Sequence, residues 1–295
     1  MSKKKIHKKS VILRILPLLF LWFLSCEKIE PHKIKNLNGN HIGVIGHGGM
    51  GFQSFSNQLP HNSFSSVVQT IEKLNADGVE VDVQLSRDGV LMLYHSELLE
   101  SLTDCFSCVH ESYAKDLLKC RYRNDFYANV FTNEKIISLE KVVNRFSQRT
   151  IKPLLFLDLK TFLPCETELT YEEYHQSIVN SLLELIEQYQ GEDWIFVESW
   201  DIGLLKMLQV KNPSIKLKIS NGEPESIYQA REHGFYGVVM EYQNITREEV
   251  GLAHSMGVRV SLYSPKSRRG IRKAIQKNPD YIQTDNVTLL QQFLD

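Results

Sequence analysis

Short aliphatic runs recur along the chain, at Ile42 to Ile45, Val79 to Leu85, Val90 to Tyr94, Leu154 to Leu159, Ile195 to Val197, Leu217 to Ile219, Val238 to Met240, Val258 to Tyr263 and Tyr281 to Thr284. Most are separated by stretches of helical periodicity, for example Ser63 to Leu74, Tyr174 to Tyr189 and Glu248 to Ser255. Strand and helix in alternation predict a parallel sheet, and the number of repeats predicts a closed α/β barrel of the TIM, (β/α)8, type. Nine runs compete for eight places. The two joined by Ser86-Arg87-Asp88-Gly89 are too close for a helical crossover, so they form a hairpin or one of them is not a barrel strand. Cys105 to Thr132 is polar, aromatic and aperiodic, which predicts a small insertion over one barrel mouth, about residues 100–132, rather than a separate domain.

The chain has 295 residues. Since a barrel of this type takes about 250, the length suits a single domain spanning 41–295. The formal net charge of -1 gives no electrostatic case for nucleic acid, whose binders carry a basic patch, but leaves a specific phosphate ester open. Nothing in the composition points to a protein partner. At the N-terminus, a basic segment over Met1 to Ser10 precedes an apolar stretch from Val11 to Leu24, broken only by Arg14. That is shorter than the about 20 apolar residues of a spanning helix and reads as a signal peptide over 1–25.

Phe23-Leu24-Ser25-Cys26 resembles the bacterial lipoprotein signal, with Phe23 where leucine is usual. The resemblance implies lipidation of Cys26, with residues 26–40 as a polar, lipid-anchored tether. It also implies an exported, membrane-anchored lipoprotein at the periplasmic or outer-membrane face. An ordinary signal peptide or an uncleaved anchor would leave a similar pattern.

Beyond Cys26 the cysteines are Cys105, Cys108, Cys120 and Cys165. Cys105-Phe-Ser-Cys108 has the spacing of a zinc knuckle, but no second close pair exists, and no thioredoxin-like pattern surrounds it. An export signal favours disulfides or free thiols, and the sequence does not choose among the three pairings.

Chemistry concentrates at strand ends. In Val79-Glu80-Val81-Asp82-Val83-Gln84-Leu85 the period of two places Glu80, Asp82 and Gln84 on one face. Barrel interiors are normally apolar, so inward carboxylates must be paired or must hold a cation. Leu154 to Lys160 repeats the arrangement with Asp158 and Lys160. Three carboxylates plus water suit a hard divalent cation, Ca²⁺ or Mg²⁺, better than zinc; an Asp158–Lys160 ion pair is the simpler alternative. His47 closes the first run, where Gly48-Gly49 lets the chain turn sharply, and His95 closes the run ending at Tyr94. Two imidazoles beside carboxylates are the inventory of metal-assisted acid–base hydrolysis.

His47-Gly48-Gly49, Pro60-His61-Asn62-Ser63, the block from Ala76 to Val90 and Tyr94-His95 resemble the glycerophosphodiester phosphodiesterase family. Its pattern runs His-Arg-Gly, Pro-Glu-Asn-Thr, Gly-Ala-Asp-Gly-x-Glu-x-Asp-Val-x-x-(Thr/Ser)-x-Asp-Gly and His-Asp. The similarity continues through Ile137 to Val142, Leu157 to Lys160, Ser199-Trp200-Asp201 and Pro279 to Asp285. It implies a TIM-type barrel and metal-dependent hydrolysis of a small phosphodiester, by default a glycerophosphodiester cleaved to glycerol 3-phosphate and an alcohol. His47 and His95 would be the acid–base pair; Glu80, Asp82 and Asp158 would hold one divalent cation; Lys160 would neutralise phosphoryl oxygens. Gly48, Asn62, His61 and Tyr263 would fall on the phosphate- and substrate-binding side. Attack by water or by a neighbouring substrate hydroxyl both remain open.

This chain departs from the pattern in its substrate-facing set. Gly48 stands for arginine, His61 for the glutamate of Pro-Glu-Asn-Thr, Asp158 for a longer glutamate, and Ser96 for the aspartate after the second histidine. Tyr263 and Lys266 stand where Trp and Asn are frequent. A lysine elsewhere would poorly replace a bidentate guanidinium. A retained mechanism with an altered substrate is expected; a phospholipase C/D-like enzyme acting on intact lipids, or an inactive lipid-anchored binding protein, are the alternatives.

Overall fold

A computed structural model describes residues 34–54, 57–124 and 130–294. The signal segment 1–25 and the lipidation position Cys26 lie outside the described residues. Residues 34–40, expected within the tether, instead pack on the barrel: Ile34 is buried, and Leu37 N–H donates to Asp280 Oδ1 at 2.8 Å. Among the described residues no helix is long and apolar enough to cross a membrane.

The first unit is β1 (Gly43–Gly46) and α1 (Phe64–Glu72). β2 (Gly78–Leu85) then pairs antiparallel with β3 (Leu91–Leu93), so the short Ser86 to Gly89 link is a hairpin turn and β3 lies outside the parallel set. The insertion that follows holds short helical turns, α2 (Ala114–Leu117), β4 (Arg121–Arg123) and β5 (Phe131–Lys135), with β4 and β5 paired antiparallel. β6 (Ile137–Ser138) runs into α3 (Leu139–Ser147), whose Ser138 N-cap accepts from Lys141 N. Six further units follow: β7 (Leu154–Leu159) and α4 (Tyr171–Tyr189), β8 (Ile195–Ser199) and α5 (Ile202–Lys211), β9 (Lys216–Ile219) and α6 (Ser226–His233), β10 (Gly237–Glu241) and α7 (Arg247–Ser255), β11 (Arg259–Tyr263) and α8 (Arg268–Ile275), β12 (Tyr281–Thr284) and α9 (Val287–Leu294).

Parallel pairing runs from β1 through β12, β11, β10, β9, β8 and β7 to β2, and a β1–β2 pairing closes the ring. This is the closed eight-stranded parallel barrel that the alternation predicted. Outward strand residues such as Val79, Val81, Leu155, Leu157 and Val197 join the helices in the main core. Inside, the lower level is aromatic, with Phe156, Phe196 and Tyr281 in contact. Above it the register aligns Asp82 with Asp158, Asp158 with Glu198 and Glu198 with Lys218. A ring of charge therefore sits on an apolar floor.

The insertion has its own small core, including Tyr94, Leu99, Val109, Leu117 and Tyr122. The structure chooses one of the three cysteine pairings, Cys105–Cys120 and Cys108–Cys165, with Cα separations of 5.5 and 6.1 Å. The first pair closes the insertion on itself. The second fastens it to the loop after β7, beside the mouth where the strands end.

Candidate active site

His47, Glu80, Asp82, His95, Asp158, Lys160 and Tyr263 line one cavity of about 350 Å³ at the C-terminal ends of the strands. The face that sequence periodicity assigned to β2 is the inward one: Glu80 and Asp82 are both buried, and Asp158 follows the same alternation on β7. One oxygen from each of these three carboxylates lies within 4.8 Å of the others. Three oxygen donors so close, two of them taken from water, repel one another unless a cation stands between them. Burial, then Asp82, pushes the Glu80 carboxyl well above the usual carboxylate range. The donor set is all oxygen and partly open to the cavity, which fits a hard divalent cation.

Lys160 supplies part of the compensating charge, with Nζ 2.9 Å from Asp82 Oδ1 and 2.6 Å from Asp158 Oδ2. Burial works against its charge, but the two carboxylates prevail and raise its pKa well above the ordinary lysine value. Asp82 shows the complementary result: burial opposes its ionisation, yet Lys160, His95 and Asn62 hold its pKa low.

His47 follows β1, and its Nδ1 lies 2.8 Å from Asp285 Oδ1 at the end of β12. An ionised carboxylate only accepts, so Nδ1 carries the proton and Nε2 is the nitrogen left for chemistry. Nε2 is 3.9 Å from Glu80 Oε2. Burial lowers the imidazole pKa, but Asp285, Glu80 and Asp82 together outweigh it and raise it to about 9. His95 faces the same cavity beyond Phe52, whose ring centroid is 4.9 Å from that of His47 and 5.5 Å from that of His95.

Three residues expected on the substrate side do not line this cavity. Asn62 is fully buried and spends both ends of its amide on Asp82, donating to Oδ2 at 2.7 Å and accepting from Asp82 N–H at 3.0 Å. It positions a carboxylate rather than facing substrate. Gly48 turns its N–H onto Glu80 Oε2 at 2.9 Å. His61 lies beneath Phe52, with only 4% of its surface exposed. Lys266 lines a neighbouring cavity that shares Phe52 and Ser264 with the main one.

Other participants had no assigned role in the sequence, although Asp285, Gln283 and Trp200 fall within segments that resemble the family and Trp200 beside Ser199 suits either the mouth or the core. Asp285 ends the Pro279 to Asp285 segment, but only the closure of β12 onto β1 brings it to His47. Glu198 and Gln283 also line the cavity; Gln283 Nε2 donates to Glu198 Oε1 at 3.0 Å and Oε2 at 2.8 Å. Trp200, half-exposed, forms part of the wall.

Residues 53–289 match the glycerophosphoryl diester phosphodiesterase family. A glycerophosphodiester phosphodiesterase of Caldanaerobacter subterraneus is 24% identical over 233 residues, covering 78% of this chain and 90% of the relative. Among solved structures, an Oleispira antarctica phosphodiesterase in complex with the product sn-glycerol-3-phosphate superposes with a TM-score of 0.73 at 20% identity, over 86% of this chain and 96% of the other. A glycerophosphodiester phosphodiesterase of Parabacteroides distasonis superposes with a TM-score of 0.69 at 19% identity, over 86% and 96%. At such identities the superpositions establish the barrel fold.

Proposed function

Because the chain belongs to the glycerophosphoryl diester phosphodiesterase family, we propose that it hydrolyses glycerophosphodiesters to glycerol 3-phosphate and an alcohol, with His47 and His95 moving the protons. As a family member it is a phosphoric diester hydrolase. The observation that carries the finer reading is the convergence of Glu80, Asp82 and Asp158 within 4.8 Å of one another, in a cavity that both imidazoles face.

Glu80, Asp82 and Asp158 would hold one divalent cation, Ca²⁺ or Mg²⁺. When bound, it supplies charge that polarises the phosphoryl group. Asn62 and Lys160 keep Asp82 and Asp158 in place, so little reorganisation is needed on binding. Asp285 holds the His47 ring with Nε2 toward the cavity. One imidazole takes a proton from the attacking water, or from a neighbouring substrate hydroxyl whose cyclic phosphate product water then opens, as the attacking oxygen bonds to phosphorus. The other delivers a proton to the alcohol oxygen as the second P–O bond breaks. Lys160, at the cavity wall, balances negative charge on the phosphoryl oxygens.

We further infer that the chain works outside the cytosol, lipidated at Cys26 and held at the membrane by the segment after it. The two cysteine pairings support an oxidising compartment. Cys26→Ala should move the protein from the membrane fraction to the soluble one. The activity is tested by ³¹P NMR of glycerophosphocholine, glycerophosphoethanolamine and an aryl phosphodiester, with and without chelator. Release of glycerol 3-phosphate that stops on chelation and returns with Ca²⁺ or Mg²⁺ is expected. Cleavage of none of the three with any divalent cation would overturn the reading.

A further inference from the structure

His61 occupies the space that a side chain at position 48 would need. Gly48 has φ 57°, and a Cβ added there would fall 2.7 Å from the His61 Cβ. The close atom is the Cβ, which any residue but glycine at 61 would carry, so it is the approach of the chain at 61 that leaves room only for glycine at 48. Among the described residues neither arginine of the insertion is offered to the site: Arg121 pairs with Asp104 and Arg123 donates to the Ser101 carbonyl.

His61 is buried, yet among the described residues neither ring nitrogen has a hydrogen-bond partner. A buried polar group left unpaired costs free energy until a partner arrives, so the arrangement requires an explanation. Its surroundings are those of the site: the His95 ring lies 5.4 Å away, and Asp82, His47 and Asp285 are close enough to act on its charge. Burial holds its pKa down at about 4, so the ring is neutral at pH 7, with one N–H donor and one bare nitrogen. Phe52, 4.4 Å from it, lines the cavity and separates His61 from it. Gly51, immediately before Phe52 at φ 94°, packs so closely on the Asp285 backbone that no larger residue fits, which anchors the chain there and leaves rotation of the Phe52 side chain as the movement available.

We propose that His61 is a specificity-determining substrate contact: on substrate entry Phe52 swings off the imidazole, and a His61 N–H donates to a nonbridging phosphoryl oxygen. The inference rests on the reading that a phosphodiester is held at the carboxylate cluster. A neutral, directional donor then does the orienting that a guanidinium would otherwise do, without adding charge.

The test is steady-state kinetics on glycerophosphoethanolamine and an aryl phosphodiester at saturating divalent cation, with thermal melts in parallel. His61→Phe removes both nitrogens while keeping a ring, and His61→Gln retains an N–H donor. His61→Phe should raise KM about tenfold, equivalent to about 1.4 kcal/mol, without lowering Tm. His61→Gln should recover KM to within about threefold of the parent. Phe52→Ala should lower KM in the parent by removing the cover, and leave it unchanged in the His61→Phe background. Unchanged KM in His61→Phe, equal impairment in His61→Gln, or the same Phe52→Ala effect in both backgrounds would overturn the proposal. If the parent itself cleaves no diester, the phosphodiesterase reading falls with it.

Discussion

Replacing Lys218 by methionine tests whether the charged ring inside the barrel is held by pairing. Lys218 is fully buried, with Nζ 3.1 Å from Glu198 Oε1, 2.7 Å from Ser261 Oγ and 3.8 Å above the Phe156 ring. Burial lowers its pKa to about 8, against the pull of Glu198. Methionine keeps the length and apolar stem but strands the Glu198 carboxylate in the interior. Breaking a fully buried pair from one side costs about 3–5 kcal/mol. Burial already raises the Glu198 pKa, and Gln283 still donates to it, so protonation softens the loss toward about 3 kcal/mol. Urea unfolding at pH 7 in chelator, which removes linkage to bound cation, reads this directly. The Glu198→Gln/Lys218→Met double variant should recover all but about 1 kcal/mol. A cost below about 1 kcal/mol for Lys218→Met, or a double variant no more stable than the single, would refute the argument.

Three further outcomes follow from the same geometry. Burial depresses the His61 pKa from 6.5 to about 4, so between those values the unfolded chain binds a proton that the folded chain does not. Stability should therefore fall as pH drops through that window, by at most about 3 kcal/mol, and denaturant midpoints of His61→Phe should lose this pH slope. Asp285→Asn removes the carboxylate charge beside His47 and lets an amide N–H face Nδ1, so the tautomer is no longer fixed: kcat should fall about 10²–10⁴-fold, and the His47 pKa, followed by NMR, should drop from its raised value. Removing the Cys108–Cys165 link, which spans 57 residues, with a paired alanine variant should cost about 4 kcal/mol on the chain-entropy argument and lower Tm by roughly 10 °C; an unchanged melt would show that the insertion does not depend on this fastening.

The barrel was legible because its signal is local and repeated: aliphatic runs alternating with helical periodicity, and a Ser86 to Gly89 link too short for a crossover. Glu80, Asp82 and Asp158 were legible because period two puts polar residues on an interior face that must explain them. Lys218 and Glu198 were not, since Lys218 sits inside a run that reads as an ordinary apolar strand and Glu198 just past the end of another, and only the β8–β9 register joins them. The cysteine pairing required the loop after β7 to be placed beside the insertion. The covering of His61 by Phe52 depends on the path of the turn after β1, which sequence patterning does not specify. Asn62 was expected at the substrate because motifs record which residues occur together, not which of them stands behind another.

The central claim, that His47 and His95 are the two proton-transfer groups, is tested most directly by measuring kcat for glycerophosphoethanolamine hydrolysis in His47→Ala and His95→Ala, with metal content and Tm verified in each. Loss of about 10²–10⁴-fold in both variants, with metal still bound, is predicted. Retention of more than about a tenth of the parent rate in either variant would contradict the account.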